Sequence, residues 1–220
     1  MPNDKRLHLA LLLIGLAILA WSAWKPHDYL TWILEVFPAI IAGVVLTAIY
    51  PRFRFTSLVY GLILIHAAVL MIGGHYTYAE MPLFSWLRDQ LHLGRNHYDR
   101  LGHFVQGFVP AMIAREILIR SAVINGRRWR FFIVCSIALA ISACYELFEW
   151  WVAVASGTAA DSFLATQGDV WDTQWDMLMA LCGAVVAQLT LSGVHDRQLD
   201  ALRGAADRET GAQRRKQDQP

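Results

Sequence analysis

The sequence predicts an all-α polytopic membrane protein, a bundle of six transmembrane helices, and three observations carry that prediction. Of the 220 residues 56% are hydrophobic and only 17% charged, with a mean hydropathy of +0.36, too apolar for an ordinary soluble domain. The apolar residues gather into six runs, each close to the roughly 20 residues that cross a hydrocarbon core. Nine Trp, ten Phe and seven Tyr supply rings that anchor at both membrane interfaces.

The runs cover residues 7–24, 30–50, 55–73, 101–119, 131–151 and 175–191. Lys5 and Arg6 precede the first, as they would in a signal peptide, but the apolar stretch is long and no small-x-small cleavage pattern follows. It reads as a retained helix. Pro38 within the second run is tolerable because a bilayer helix can re-satisfy the freed carbonyl locally. Residues 1–192 are thus expected to form one six-span domain. Residues 193–220 form a polar cytoplasmic tail, a short helical extension passing into disorder.

Six spans place both termini on one side, and Lys/Arg bias says which. With the N-terminus inside, fourteen of the nineteen Lys and Arg are cytoplasmic and four, Lys25, Arg88, Arg95 and Arg100, are outside; Arg115 lies within the fourth run. Both termini are therefore expected in the cytoplasm. The outer loop 74–100 contains MPLFSWLRDQLHL, whose Leu83, Trp86, Leu87 and Leu91 recur at helical spacing and predict a short amphipathic helix on the interface. The outer loop 152–174 has no Lys or Arg and is rich in turn residues. A formal net charge of +1 argues against nucleic acid as a partner. Cys135, Cys144 and Cys182 sit in apolar runs without CxxC spacing and read as small buried hydrophobes.

This topology divides the eighteen carboxylates unevenly: ten fall outside, seven inside, and Glu35 within the second run. Four positives against ten negatives leave the outer face at a formal −6, which attracts cations. The acids concentrate at helix ends. His75 follows the third run, Asp99 and His103 open the fourth, Glu146 and Glu149 close the fifth, and Asp169, Asp172 and Asp176 open the sixth. Asp99/His103 and Asp172/Asp176 are i,i+4 and Glu146/Glu149 are i,i+3, so each pair shares a helix face. Paired ligands from several helices facing one axis are how helical bundles build carboxylate metal sites.

The plainer alternative is a set of acids facing water at the interface. Helix N-termini favour anions, which suits Asp99, Asp169 and Asp172. It suits Glu146 and Glu149 less, since they are flanked by Leu147, Phe148, Trp150 and Trp151. Elsewhere, His66 reads as a core histidine donating to a nearby carbonyl, Arg115 and Glu116 as paired or snorkelling, and Gly102, Gly107 and Gly183 as close-packing positions.

The segments GGHYTYAEMP, YDRLGHFVQGFVPAMIARE, CYELFEWW and FLATQGDVWDTQWDMLMALCGA resemble the YjdF-like bacterial inner-membrane proteins, a family of unknown function, in four motifs in order. The looser pattern, Asp and His at one helix start, an acidic helix end and an Asp-rich helix start, also resembles the VanZ-like membrane proteins. The first resemblance implies a multi-pass protein of the bacterial inner membrane and supplies no activity.

Three functions remain open. One is a metal-dependent hydrolase or transferase acting at the outer leaflet on a lipid or lipid-linked substrate. In it Asp99, His103, Glu149 and Asp176 ligate Mg²⁺, Mn²⁺, Fe²⁺ or Zn²⁺, Glu146 or Asp172 is the general base, and His75 assists. Arg95 and Arg100 are positioned in sequence to hold a phosphate. The second is a carrier or sensor of a cation or proton, the third a structural membrane partner. The sequence fixes neither substrate, metal nor oligomeric state.

Overall fold

The computed structural model describes residues 2–156 and 161–217. Among them every regular element is helical: α1 (Pro2–Ser22), α2 (Tyr29–Ile49), α3 (Ser57–Tyr76), a 3-10 turn (Tyr78–Glu80), α4 (Pro82–Leu91), α5 (Tyr98–Arg120), α6 (Arg127–Ser156), the single turn α7 (Asp161–Leu164) and α8 (Asp172–Gln217). A long helix lies over each of the six apolar runs. Five of them, α1, α2, α3, α6 and α8, are long and apolar enough to cross a membrane. The 23-residue α5 matches them in length but carries Asp99, His103, Arg115 and Glu116 buried among its neighbours. The molecule is an all-α membrane bundle with α5 as its polar member.

Local chemistry sets the helix ends. Asp28 caps α2 by accepting from the Thr31 N–H at 2.7 Å, which holds its carboxyl below the usual range, and Thr56 caps α3 through Val59 N–H at 3.4 Å. Pro82 opens α4, whose C-terminus closes on His92 in the left-handed region at φ 52°. Leu83, Trp86 and Leu91 of α4 remain exposed, as an amphipathic interfacial helix requires. The last helix does not stop where its apolar run ends. It continues through the polar residues to Gln217, with His195 and Leu199 buried and the Gln198 side chain accepting from Leu58 N–H at 3.0 Å. Residues 157–160 of the second loop and 218–220 of the tail lie outside those described.

Helices α1 and α2 pack on α3, while α5 packs on α3, α6 and α8. In hydrocarbon, helices associate through close van der Waals contact rather than by burying apolar area, and small residues permit it. The α5–α8 crossing is built on two of them: a Cβ at Gly107 would overlap the Ala180 main chain, and one at Gly183 the Phe104 carbonyl. Both are the close-packing positions expected. Gly73 and Gly102 similarly leave room for the Tyr78 ring.

A layer containing Val59, Val109, Met112, Val134, Ala138 and Ala184, apolar apart from Gln188 beside Cys135, lies between two polar ends of the bundle. At the basic end, where α1 and α6 begin, Glu116 accepts from Thr56 N–H at 3.0 Å, Thr56 Oγ1 at 2.8 Å, Arg120 Nη1 at 3.0 Å and His195 Nε2 at 3.0 Å. Arg115 donates to His195 Nδ1 at 2.8 Å and to Asp196 at 2.7 Å, so Nε2 of His195 carries the proton given to Glu116. The acidic end, where α2, α5 and α8 begin, is organised differently.

Candidate functional site

Asp99 and His103, one turn apart on α5, meet Glu146 of α6 and Asp176 of α8; the four are 6%, 5%, 7% and 2% exposed. The i,i+4 and i,i+3 spacings put these groups on inward faces, and the close α5–α8 crossing brings Asp176 to His103. His103 Nδ1 lies 3.0 Å from Gln106 Oε1, an acceptor, so Nδ1 carries a proton, and in the neutral ring Nε2 presents its lone pair. That lone pair faces Asp99 Oδ1 at 3.6 Å and Asp176 Oδ2 at 4.0 Å. One imidazole nitrogen and two carboxylates thus converge.

One ligand atom each from Asp99, His103 and Asp176 lies within 4.8 Å of the others. Ligands ~2.1 Å from a shared ion sit ~3.0–3.4 Å apart in octahedral or tetrahedral geometry, so small side-chain rotations suffice to close the set. Asp99 Oδ2, Glu146 Oε1 and Asp176 Oδ1 are buried and accept no hydrogen bond. Native proteins rarely leave such oxygens unpaired, because burying a charge without a partner is costly. The Nδ1–H donated to Gln106 is also the outer-sphere contact by which ligating histidines are oriented.

A clasp of loop residues covers the cluster. Arg95 is buried, bonds Asp172, lies 3.5 Å from both Asp99 and Asp169, and donates to the Ala165 carbonyl at 3.1 Å. Arg100 donates to Asp169 at 2.7 Å and lies over the Trp175 ring. Gln167 and the Asn96 backbone exchange two hydrogen bonds of 2.9 and 2.8 Å, tying the two loops together. Ala165 and Gln167 hold positive φ of 48° and 50°, and that local cost is offset by the contacts they place. His97, in the same loop, has its pKa lowered by burial first and by Arg100 and Arg95 next, so it adds no positive charge near neutrality.

Beside the cluster lies a cavity of about 20 Å³, enough for one water. Glu35, Tyr78, Asp99, His103, Tyr145 and Glu149 are among its walls, and the Tyr145 hydroxyl donates to Glu35 at 3.3 Å. Glu149 thus faces this chamber. Because α6 runs on to Ser156, Glu149 sits well before the last turn and out of reach of the helix dipole. Asp172 is engaged by Arg95. His75 stands apart: its Nδ1 donates to the Ser22 carbonyl at 3.0 Å and its ring stacks on Trp21, joining α3 to α1. Asp99, His103, Glu146, Glu149 and Asp176 are brought together; His75 is not. The Nε2 of His66 is buried and has no hydrogen-bond partner among the described residues, so that nitrogen does not make the carbonyl contact expected. Sequence reasoning did not place Glu35, Tyr78 or Tyr145 here. A lone acid inside an apolar run was the available signal for Glu35; the tyrosines offered none.

Comparison with known proteins agrees with the four motifs. Residues 7–197 match a family described as predicted membrane protein (DUF2238). The chain is 52% identical over 182 residues to the inner membrane protein YjdF of Escherichia coli strain K12, covering 83% of this chain and 87% of that protein. No solved structure matches it significantly.

Proposed function

This chain belongs to the DUF2238 family of membrane proteins and is a multi-pass inner-membrane protein, and on that premise we propose that its acidic end holds a divalent cation and acts as a metal-dependent hydrolase or transferase on a lipid or lipid-linked substrate. The observation that carries the reading is the buried cluster of Asp99, His103 and Asp176, whose ligand atoms lie within 4.8 Å of one another, with an oxygen on each of Asp99, Asp176 and neighbouring Glu146 that accepts no hydrogen bond. Asp99, His103 and Asp176 are the first ligands, and Glu149 closes the set from the side chamber. Glu146, unpaired and 3.7 Å from His103, is the better-placed base than Asp172, which Arg95 occupies. A mixed carboxylate and imidazole set suits Mg²⁺, Mn²⁺, Fe²⁺ or Zn²⁺, which when bound supplies Lewis-acid polarisation and an acidified water.

A carrier needs a polar route through the bundle, and the layer below Gln106, apolar apart from Gln188, offers a thin one, which favours a one-sided site. In this reading α5 also crosses the membrane, as the fourth of six spans, both termini are cytoplasmic and the acidic end faces the periplasm. Purified protein is expected to contain a divalent metal by elemental analysis, and to release product in a screen of phospholipids and lipid-linked phosphates only while metal is present. Metal without turnover would leave a cation sensor; neither would leave a structural bundle. Reporter fusions after residue 220 that were active only in the periplasm would overturn the orientation.

A further inference from the structure

The acidic chamber shares a wall with a larger hollow. A groove of about 440 Å³ runs between α2 and α6, lined by Phe37 of α2 and by α6 residues from Ile137 to Phe148, Ala140, Cys144 and Tyr145 among them. Apart from the Tyr145 hydroxyl its lining is apolar. Tyr145 belongs to both spaces: its ring walls the groove, and its hydroxyl reaches Glu35 in the chamber.

Both flanking helices are long and apolar enough to cross a membrane, so the groove opens on hydrocarbon. From Ile137 to Phe148 it follows α6 for ~16 Å at 1.5 Å per residue, about half the hydrocarbon thickness. Its outer edge is polar, at the Tyr145 hydroxyl, while the rest of its wall is apolar, and that division suits an amphiphile better than the uniformly apolar face of a partner helix. A slender, flexible hydrocarbon chain fits. Past Tyr145 lies the chamber walled by Glu35, Asp99, His103 and Glu149.

We infer that the α2–α6 groove binds a single hydrocarbon chain of a membrane amphiphile, entering sideways from the bilayer, and directs its head group past Tyr145 to the acidic cluster. The inference rests on reading that cluster as the site of lipid chemistry. Tyr145 is a positioning residue in this scheme, and Cys144, exposed on the groove wall, is a built-in reporter.

The test uses full-length protein in mild detergent, titrated with a phosphatidylglycerol bearing a diazirine in one acyl chain, then irradiated and peptide-mapped. Labelling of the 137–148 segment is expected to saturate, while labelling at Leu13, on the exposed face of α1, rises in proportion to probe. Ala140→Trp and Ile141→Trp, which fill the groove, are expected to lower the saturable labelling at least fivefold and leave Leu13 unchanged. Should neither variant insert, the wild-type titration decides alone. Proportional labelling at both places, or a covalent dimer through Cys144 that blocks the groove, would overturn the inference. Metal-dependent melting is read in parallel. Saturable labelling without any metal response would sink the metal-dependent function and leave the groove standing; a metal response with proportional labelling would do the reverse.

Discussion

The two polar ends of the bundle use the same residue types to opposite effect. At the basic end Glu116 is fully buried and each of its oxygens has donors, from Thr56, Arg120 and His195, while Arg115 completes the chain to Asp196. At the acidic end three carboxylates surround His103 with oxygens that accept nothing. The first network is closed and joins α3, α5 and α8. The second is missing positive charge at its centre although Arg95 and Arg100 sit in its roof. A closed network of this kind holds helices together; the open one is what the proposed cation would complete.

The largest expected effect breaks the closed network. Glu116→Ala strands Thr56 N–H and the proton of His195 and should cost about 3–5 kcal/mol, as loss of one partner from a buried pair does. Denaturation in mixed micelles measures it, and any metal-induced shift in melting should survive. A variant as stable as wild type would mean that the network does not hold the ends of α3 and α8.

A smaller effect sharpens the contrast at the open end. Glu149→Gln removes a ligand of the proposed set without changing shape, so it should lower metal occupancy and the metal-linked stabilisation, which reaches about 2.7 kcal/mol when the metal is 100-fold above Kd. Glu80→Gln, an exposed acid paired only with exposed His27, is the control and should retain the full response. Equal responses in both would remove Glu149 from the set.

The smallest effect concerns an acid with an ordinary role. Asp28→Ala removes the α2 cap and should cost about 1 kcal/mol near neutral pH. The folded carboxyl lies below its usual range, so its contribution is complete above about pH 4 and disappears as pH falls through the folded value. Melting of wild type and variant across that interval should therefore converge on the acid side. A constant gap would assign the loss to something other than the charged cap.

Much of the fold was legible because a bilayer imposes length and polarity on each segment, and the pairing of Asp99 with His103 was legible because helical spacing is local. The approach of Asp176 to His103 needed the α5–α8 crossing, for which Gly107 and Gly183 were the visible signals. Glu35 was legible only as an anomaly within its run, since its place beside Tyr145 depends on how α2 meets α6. Arg95 read as a free anion-binding cation; its engagement by Asp172 and Ala165 depends on a loop held at positive φ, which no periodicity encodes. The helical tail beyond residue 192 is held by His195 and Gln198, polar residues whose partners lie on α3 and α5 and therefore leave no local trace.

Asp176 tests the central claim most directly, because it is nearly inaccessible, has an unpaired oxygen and faces the lone pair of His103. Wild type and Asp176→Asn would be melted in detergent after chelation and again with Mg²⁺, Mn²⁺ or Zn²⁺, with bound metal counted by elemental analysis. The account predicts that the substitution removes a buried carboxyl oxygen that has no hydrogen-bond partner, so the metal-free variant melts at or above wild type. With metal the order reverses: wild type gains stability and retains the ion, and the variant does neither. A variant that binds and responds to each metal as wild type does would contradict the claim that the acidic end is a cation site.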